Sequence, residues 1–287
     1  GDWSSDVCSS DLLRTADLLS EVRGSEDLVV RGVSQDCRTT GIDELFLAWK
    51  GTESDAHDHV GQAVERGASA VVVERPVDVD VPQLVVRDGR RAAALAANVV
   101  LGFPGAAMTV VGVTGTNGKT TTSLLVQHLV APERTAAVIG TLGLLETGGV
   151  RPGTEGLTTP GPVQLTTWMR DLADARYDVV VLEASSHAIE QHRLDGIEFD
   201  VAVFTNLSRD HLDYHGDMAA YRAAKLGLVD LVSGDGTVVV NGDADAWEGL
   251  EAGGRRVVTY SLEGEANVQA REIRLDPAGS SFTMVVE

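Results

Sequence analysis

Residues 110–125 read VVGVTGTNGKTTTSLL: an apolar run, then Gly115, Thr116, Asn117 and Gly118, then Lys119 followed by the hydroxyls of Thr120 and Thr121. Glycines let successive backbone N–H groups curl around phosphate oxygens. A helix beginning near Lys119 turns its positive end toward the same anion. The lysine supplies a point charge to the β/γ-phosphates, and the Thr120 hydroxyl can ligate Mg²⁺. These types and this order predict a nucleotide-phosphate site over Gly115–Thr121. The common pattern G-x-x-x-x-G-K-[ST] is missed by one position: it wants glycine where Val113 stands, and the glycine is Gly112.

Other costly residues stand at the ends of apolar runs. In YDVVVLEASSH, Val179–Leu182 end in Glu183. A carboxylate at such a strand tip needs a positive neighbour. Mg²⁺ bound to ATP is one candidate, and an Arg or Lys partner is the other. Gln191-His192-Arg193 follows, where Arg193 can clamp a carboxylate or phosphate or stand solvated on the surface. After Thr205-Asn206, the residues Asp210, His211, Asp213 and His215 crowd one loop, a pattern suited to metal or phosphate. Lys225 lies on the helix after that loop, and by residue type alone it reads as a surface lysine.

These residues must be held by a scaffold, and the apolar patterning supplies an α/β one in two parts. Residues 13–22 read as a short amphipathic helix. Strands follow at LVVRGVS, ELFLAW, AVVVE and QLVVR, with helices over HDHVGQAVERGAS and RRAAALAANVVLG. FPGAAM, punctuated by Pro104 and Gly105, is the linker. The second part has strands MTVVGVTG, AAVIG, DVVVLEA, FDVAVFTN and GTVVVNGD alternating mostly with helical patterns, which implies a mainly parallel sheet flanked by helices. Ligands in such sheets bind beyond the carboxyl ends of the strands, where the residues above cluster. The expected division is 13–103 and 104–287. The tail reads as two strands about a Pro-Ala-Gly-Ser turn, with no helix after them, and a truncated second domain is expected.

Residues 1–12, GDWSSDVCSSDL, have no periodicity. Asp2–Leu12 is also the translation of one frame of a common short-read sequencing adapter, so this segment is expected to be an assembly artefact. It carries three of the aspartates behind the net charge of −20. No Lys/Arg cluster accompanies that charge, which argues against nucleic acid. No apolar run reaches membrane-spanning length. Two cysteines, Cys8 and Cys37, make no disulfide framework.

Three motifs in order, GVTGTNGKTTT, LEASSHAIEQHRL and FTNLSRDHLDYHGDM with its following tyrosine and lysine, resemble the Mur ligase family. Within it they resemble the MurE type, which adds the third peptide residue to UDP-N-acetylmuramoyl-L-Ala-D-Glu. The family's own loop spacing accounts for the departure at Val113. The resemblance implies an N-terminal UDP-sugar-binding domain and an ATP-binding central domain, with the family's C-terminal domain, which binds the incoming amino acid, absent. It implies ATP at Gly115, Thr116, Asn117, Gly118, Lys119, Thr120 and Thr121, with Asn241 and Asp243 toward adenosine. Thr120 and Glu183 would hold one Mg²⁺. His211 would join a second Mg²⁺ site with Lys225, matched to a lysine carbamylated by CO₂. The UDP-muramoyl-peptide would meet Cys37, Thr52, Glu53, Ser54, Thr158, Thr159, Ser185, Gln191 and Arg193. Two departures bear on that set. Cys37 stands where the family has serine, and a thiol is the weaker hydrogen-bonding group. Leu157 stands where the family favours asparagine.

The implied activity is amide formation through an acyl phosphate in peptidoglycan biosynthesis, by a monomeric cytoplasmic enzyme with catalytic residues Lys119, Glu183, His211 and Lys225. The diamino acid is diaminopimelate or lysine, and this fragment is not expected to complete ligation. The alternatives are a sibling ligase (MurF-like or folylpolyglutamate synthase), a non-catalytic nucleotide-binding module, and a P-loop GTPase, whose Asn-Lys-x-Asp motif is missing.

Overall fold

Runs such as Ala68–Val73 and Val179–Glu183 are apolar along nearly their whole length, so both faces of these strands need cover. The computed structural model meets that need with two α/β units. It describes residues 13–14, 16–25, 29–51, 54–153, 156–277 and 279–287. The adapter-like segment 1–12 lies outside the described residues. One unit takes the described residues up to Ala107 together with Pro160–Ala175 and Gln191–Ile197. The other takes Met108–Thr159, Arg176–Glu190 and Glu198–Glu287. The expected linker forms a short 3₁₀ turn over Pro104–Ala107. The division is nonetheless discontinuous, because two later segments join the first unit.

In that unit β1 (Leu19–Arg23), β2 (Gly32–Ser34), β3 (Glu44–Leu47), β4 (Ala68–Val73) and β5 (Gln83–Val86) form a sheet in the order β1-β5-β4-β3-β2. All pairs are parallel except β1 with β5. Side chains alternate across it. Leu45, Leu47, Ala70, Val72, Leu84 and Val86 pack with Ala92, Ala93, Ala96 and Ala97 of α2 (Gly89–Val100). Phe46, Val71, Val73 and Val85 pack on the other face with Val60 and Ala63 of α1 (Val60–Glu65). Asp88 starts α2 by accepting from Arg91 N.

Of the helix expected over 13–22, only Leu13 and Arg14 are helical among the described residues. Asp17 turns at φ +55, and Leu19–Arg23 instead pairs antiparallel with β5. A ten-residue helix is marginal on its own, whereas the open edge of β5 satisfies a whole strand.

The second unit holds β6 (Thr109–Thr114), α3 (Lys119–Val130), β7 (Ala136–Gly140), β8 (Gly143–Glu146) and β9 (Gly149–Arg151). The chain then lends α4 (Pro162–Asp174) to the first unit, where it packs on α2 and sets Val163 against the core. It continues through β10 (Val179–Glu183), α5 (Ser186–Glu190), β11 (Phe199–Phe204), α6 (Leu212–His215), α7 (Met218–Asp230) and β12 (Val232–Asn241). It ends in β13 (Arg256–Ser261), β14 (Val268–Asp276) and β15 (Gly279–Val286), the last two being the expected terminal pair. The sheet order is β15-β14-β13-β12-β11-β6-β10-β7-β8-β9, parallel from β14 to β7 with antiparallel pairings at both edges.

Register decides where chemistry can gather. Glu183 of β10 lies opposite Val113 of β6, and Phe204 of β11 opposite Thr114. The three central strands therefore end level, and the residues after them share one edge. Among the described residues no helix is long and apolar enough to cross a membrane.

Candidate functional site

Beyond β6 the chain turns at Gly115 with φ +142, and a Cβ there would fall on Thr205 Oγ1, so the position admits only glycine. The loop is pinned from the end of β11. Thr116 N donates to Asn206 O at 2.8 Å and Asn117 N to Asn206 Oδ1 at 3.0 Å, while Asn117 O accepts from Thr205 Oγ1 at 2.8 Å. Ser208 N donates to Thr116 Oγ1 at 3.0 Å. Gly118 precedes α3, whose first turn has no side-chain cap and no acidic residue. A helix start left uncapped in this way, with Lys119 and Thr120 in its first turn, is the kind of arrangement that binds anions. Thr121 is exposed on the same turn.

Two lysines meet on one oxygen. Lys119 Nζ donates to Gly115 O at 3.0 Å and Thr116 O at 2.9 Å, and Lys225 Nζ donates to the same Gly115 O at 2.9 Å. Lys225 is 1% exposed and stands 4.5 Å over the Tyr221 ring, so it is not the surface residue its type suggested. Burial, and then the charge of Lys119, push its amine down to about 7. Burial also lowers Lys119, against the pull of Glu183 and Asp210.

Glu183 is 1% exposed at the tip of β10. Its carboxylate accepts from Thr120 Oγ1 at 2.9 Å, Thr141 N at 3.0 Å and Thr141 Oγ1 at 3.1 Å. Among the described residues no Arg or Lys forms an ion pair with it, although Lys119 is near enough for the two charges to interact. A Cβ on Gly140 would fall on Glu183 Oε1, so that glycine keeps the carboxylate's place. A buried carboxylate held by neutral donors beside a threonine hydroxyl fits a hard cation such as Mg²⁺. His211 is exposed, in the left-handed conformation at φ +53, with Nε2 3.5 Å from Asp210 Oδ2. Among the described residues no group of three or more His, Cys, Asp or Glu side chains is placed to hold a metal. A second cation at His211 would therefore need additional ligands.

A layer of hydroxyls adjoins Glu183. Thr159 Oγ1 donates to Glu183 O at 2.6 Å and lies 3.1 Å from Ser185 Oγ, and Thr158 Oγ1 is 3.2 Å from Thr141 Oγ1. Thr158, Thr159 and Ser185 are thus brought together. In the first unit Cys37 is buried with Sγ donating to Gln62 Oε1 at 3.1 Å, so its thiol is engaged within the protein. Ser54 is exposed, and its carbonyl accepts from Gly51 N at 2.8 Å. Arg193 Nη2 donates to Gln191 Oε1 at 2.8 Å. Thr52 and Glu53 lie outside the described residues.

At the far side of β11, Asn241 Nδ2 donates to Thr205 O at 2.8 Å. Asn241 lines a cavity of about 340 Å³ with Val240, Gly242, Trp247, Leu250 and Thr259. The indole Nε1 of Trp247 is buried with no partner among the described residues. Asp243 is turned elsewhere. Its carboxylate accepts from Leu262 N at 2.7 Å and from Ser261 Oγ, closing the turn after β13.

Thr141, Thr205 and Tyr221 support the site and carry no expectation from the motifs. Thr141 and Thr205 follow the carboxyl ends of β7 and β11, so the reasoning that singled out Glu183 at a strand tip extends to both hydroxyls.

Residues 113–287 match the family model described as the Mur ligase middle domain. Among curated proteins, the UDP-N-acetylmuramoyl-L-alanyl-D-glutamate–2,6-diaminopimelate ligase of Geobacter metallireducens is 41% identical over 276 residues, covering 93% of this chain and 54% of that protein. The ligase of that name from Bacillus licheniformis is 35% identical over 274 residues, covering 91% and 55%. The chain thus spans about half the length of the curated relatives it matches. A solved structure titled as the same ligase aligns at TM-score 0.79 and 30% identity, over 90% of this chain and 54% of that one. The MurF ligase of Thermotoga maritima, solved with ADP, shares the fold at TM-score 0.61 and 20% identity, over 90% and 56%. Because the matched span takes in the whole phosphate loop, Glu183 and Lys225, and more than half of the residues, this chain belongs to the Mur ligase family.

Proposed function

We propose that this chain is the nucleotide- and UDP-sugar-peptide-binding part of an ATP-dependent amide ligase of peptidoglycan synthesis. The ligase joins a diamino acid to UDP-N-acetylmuramoyl-L-Ala-D-Glu in the cytoplasm. The names of the relatives favour 2,6-diaminopimelate over lysine. The observation that carries this reading is the meeting of Lys119 and Lys225 on Gly115 O beside the buried Glu183. A phosphate loop needs one lysine. A second, buried and brought near neutrality, suits reaction with CO₂: the uncharged amine attacks carbon, an N–C bond forms, and a proton leaves. The repulsive ammonium becomes an anionic ligand.

A carboxylate lacks a usable leaving group, so it must be activated before an amine can displace it. Transfer of the γ-phosphoryl of ATP to the D-Glu carboxylate gives an acyl phosphate and ADP, and attack by the amine then expels phosphate. The loop N–H groups and the start of α3 would grip the phosphates, and Lys119 would leave its two carbonyl partners for the γ-phosphate. The Thr158–Thr159–Ser185 hydroxyls would orient the peptide. The cavity at Asn241, within the range of ~300–1,000 Å³ common for small-ligand sites, would take the adenosine end. Thr120 and Glu183 would hold one Mg²⁺, and His211 with the Lys225 carbamate a second; the metals supply charge neutralisation at the transferring phosphoryl group.

The test is trapping. With ATP, Mg²⁺, UDP-N-acetylmuramoyl-L-Ala-D-Glu and hydroxylamine, the expected result is ADP release coupled to hydroxamate formation, lost in Lys119→Ala. ADP release that ignores the dipeptide substrate would overturn the reading. Trapping only with the UDP-muramoyl-tripeptide or a folate would reassign the chain to a sibling ligase.

A further inference from the structure

The cavity at Asn241 has one wall that is not part of the sheet. Val240, Val257 and Thr259 of β12 and β13 line one side of it, and the segment Ala244–Leu250 lines the other. A 3₁₀ turn over Asp245–Trp247 shapes that segment. Its own bonds are short-range: Ala244 N donates to Asn241 O at 3.3 Å, Trp247 N to Ala244 O at 2.9 Å and Leu250 N to Trp247 O at 3.1 Å. Bonds of this reach shape a turn but do not hold it against a sheet. Contacts from outside the segment do. The buried Trp247 ring packs edge-on against Phe204 of β11, with centroids 5.2 Å apart. Arg222 of α7 donates from Nε to Ala246 O at 2.5 Å and from Nη2 to Glu248 O at 3.0 Å.

The guanidinium fork thus grips the carbonyls on either side of Trp247. Carbonyls at the end of a helical turn lack partners within it, and arginine meets two of them with charge-assisted bonds in a fixed geometry. The same helix reaches the phosphate loop: Tyr221 Oη is 3.2 Å from Thr116 Oγ1, and Lys225 Nζ donates to Gly115 O. Tyr221, Arg222 and Lys225 fall within about one turn of α7. A ribose of fixed size separates the base of a nucleotide from its phosphates, so the two grips must stand at a set distance. One rigid helix fixes both.

The residues that the resemblance points toward adenosine are engaged within the protein. Asn241 Nδ2 donates to Thr205 O and its Oδ1 accepts from Asp243 N at 3.0 Å, while the Asp243 carboxylate closes the turn after β13. The cavity's walls at Val240, Trp247, Leu250 and Val257 are apolar. A grip by apolar walls depends on how they are spaced.

We propose that Arg222, to which the resemblance gives no role, is a positioning residue for nucleotide binding. It acts through the Ala244–Leu250 wall, holding it at the spacing that grips the base and keying it to the helix that holds the phosphate loop. The proposal rests on the reading that this cavity takes the adenosine end of ATP.

Calorimetry on the full chain with Mg²⁺ compares two ligands: a non-hydrolysable ATP analogue, which uses loop and cavity, and inorganic tripolyphosphate, which uses the loop alone. Arg222→Ala is expected to weaken the analogue by about tenfold, the worth of a pair of charge-assisted hydrogen bonds. It is expected to leave tripolyphosphate within about twofold. Arg222→Lys keeps the charge and the stem but not the fork. It is expected to lose affinity for the analogue in the same direction, and it decides the question if Arg222→Ala does not fold. If either variant binds the analogue within about twofold of the unaltered chain, the inference is overturned and the proposed function stands. An equal loss for tripolyphosphate also overturns it, because Arg222 would then act through its charge or through the phosphate loop. If the unaltered chain binds the two ligands equally, the cavity takes no base and the inference falls while the phosphate site stands. If it binds neither, the proposed function falls with it.

Discussion

Ammonium groups in water keep apart, yet Lys119 and Lys225 share the carbonyl of Gly115. With its amine brought down to about 7, Lys225 is substantially uncharged in mildly alkaline buffer. A ¹³C carbamate resonance in protein equilibrated with ¹³C-bicarbonate should therefore grow as pH rises through about 7 and be missing from Lys225→Arg. An unchanged spectrum across that range would remove the carbamate from the mechanism. Because Lys119's charge helps lower Lys225, Lys119→Ala should move this onset upward in pH. A second titration concerns stability. The hydrogen bond from the buried His57 holds the Asp55 carboxyl down at about 2, below the ordinary aspartate value of 3.8. The stabilisation from a lowered carboxyl is complete above the unfolded value and fades as pH falls through the folded one. Urea midpoints of the protein and of Asp55→Asn should accordingly converge as pH drops from 3.8 toward 2. Parallel curves would show that the pair contributes nothing. At this scale the sequence was readable wherever a residue type was costly for its place, as at Glu183 and Gly115. The burial of Lys225 was readable too, but from spacing: Tyr221, Lys225 and Leu228 fall on one helical stripe, all buried.

Helices and strands here are set less by local preference than by what the neighbouring edge offers. Most elements were legible because buried strands need unbroken apolar runs and their helices need amphipathic ones. The helix expected over 13–22 stops early for the converse reason: Leu13 and Leu18 are buried as a helix would bury them, but from Leu19 onward the partner is a sheet edge. The phosphate loop likewise depends on β11, since Thr205 and Asn206 supply its anchoring bonds. Gly115→Ala should strain the backbone and drive Cβ into Thr205, costing roughly 1–3 kcal/mol of stability. It should lower ATP affinity by more than Thr121→Ala, whose residue is exposed on the adjacent turn. Equal affinities for the two variants, measured by calorimetry, would mean that the loop's shape does not set nucleotide binding.

Across the whole chain, only the linker near Pro104 was marked by composition. The return of α4 and of Gln191–Ile197 to the first unit is a matter of packing, and no punctuation in the sequence announces it. An excised fragment of residues 13–107 should consequently be loosely folded, with α2 lacking the helix that packs on it. Poor amide dispersion by NMR and a broad thermal transition are expected. A sharp melt with full dispersion would show that the early residues suffice.

The weave has a consequence in time. The chain changes units at 107/108, 159/160, 175/176, 190/191 and 197/198. A ribosome releases residues in order, and multidomain chains ordinarily fold from the N-terminus as each domain emerges. Here the first unit stays unfinished until Ile197 has been made, well after the ATP loop is out. A stalled or early-terminated translation product ending before that point should therefore carry an incomplete core and be cut by protease faster than the longer chain.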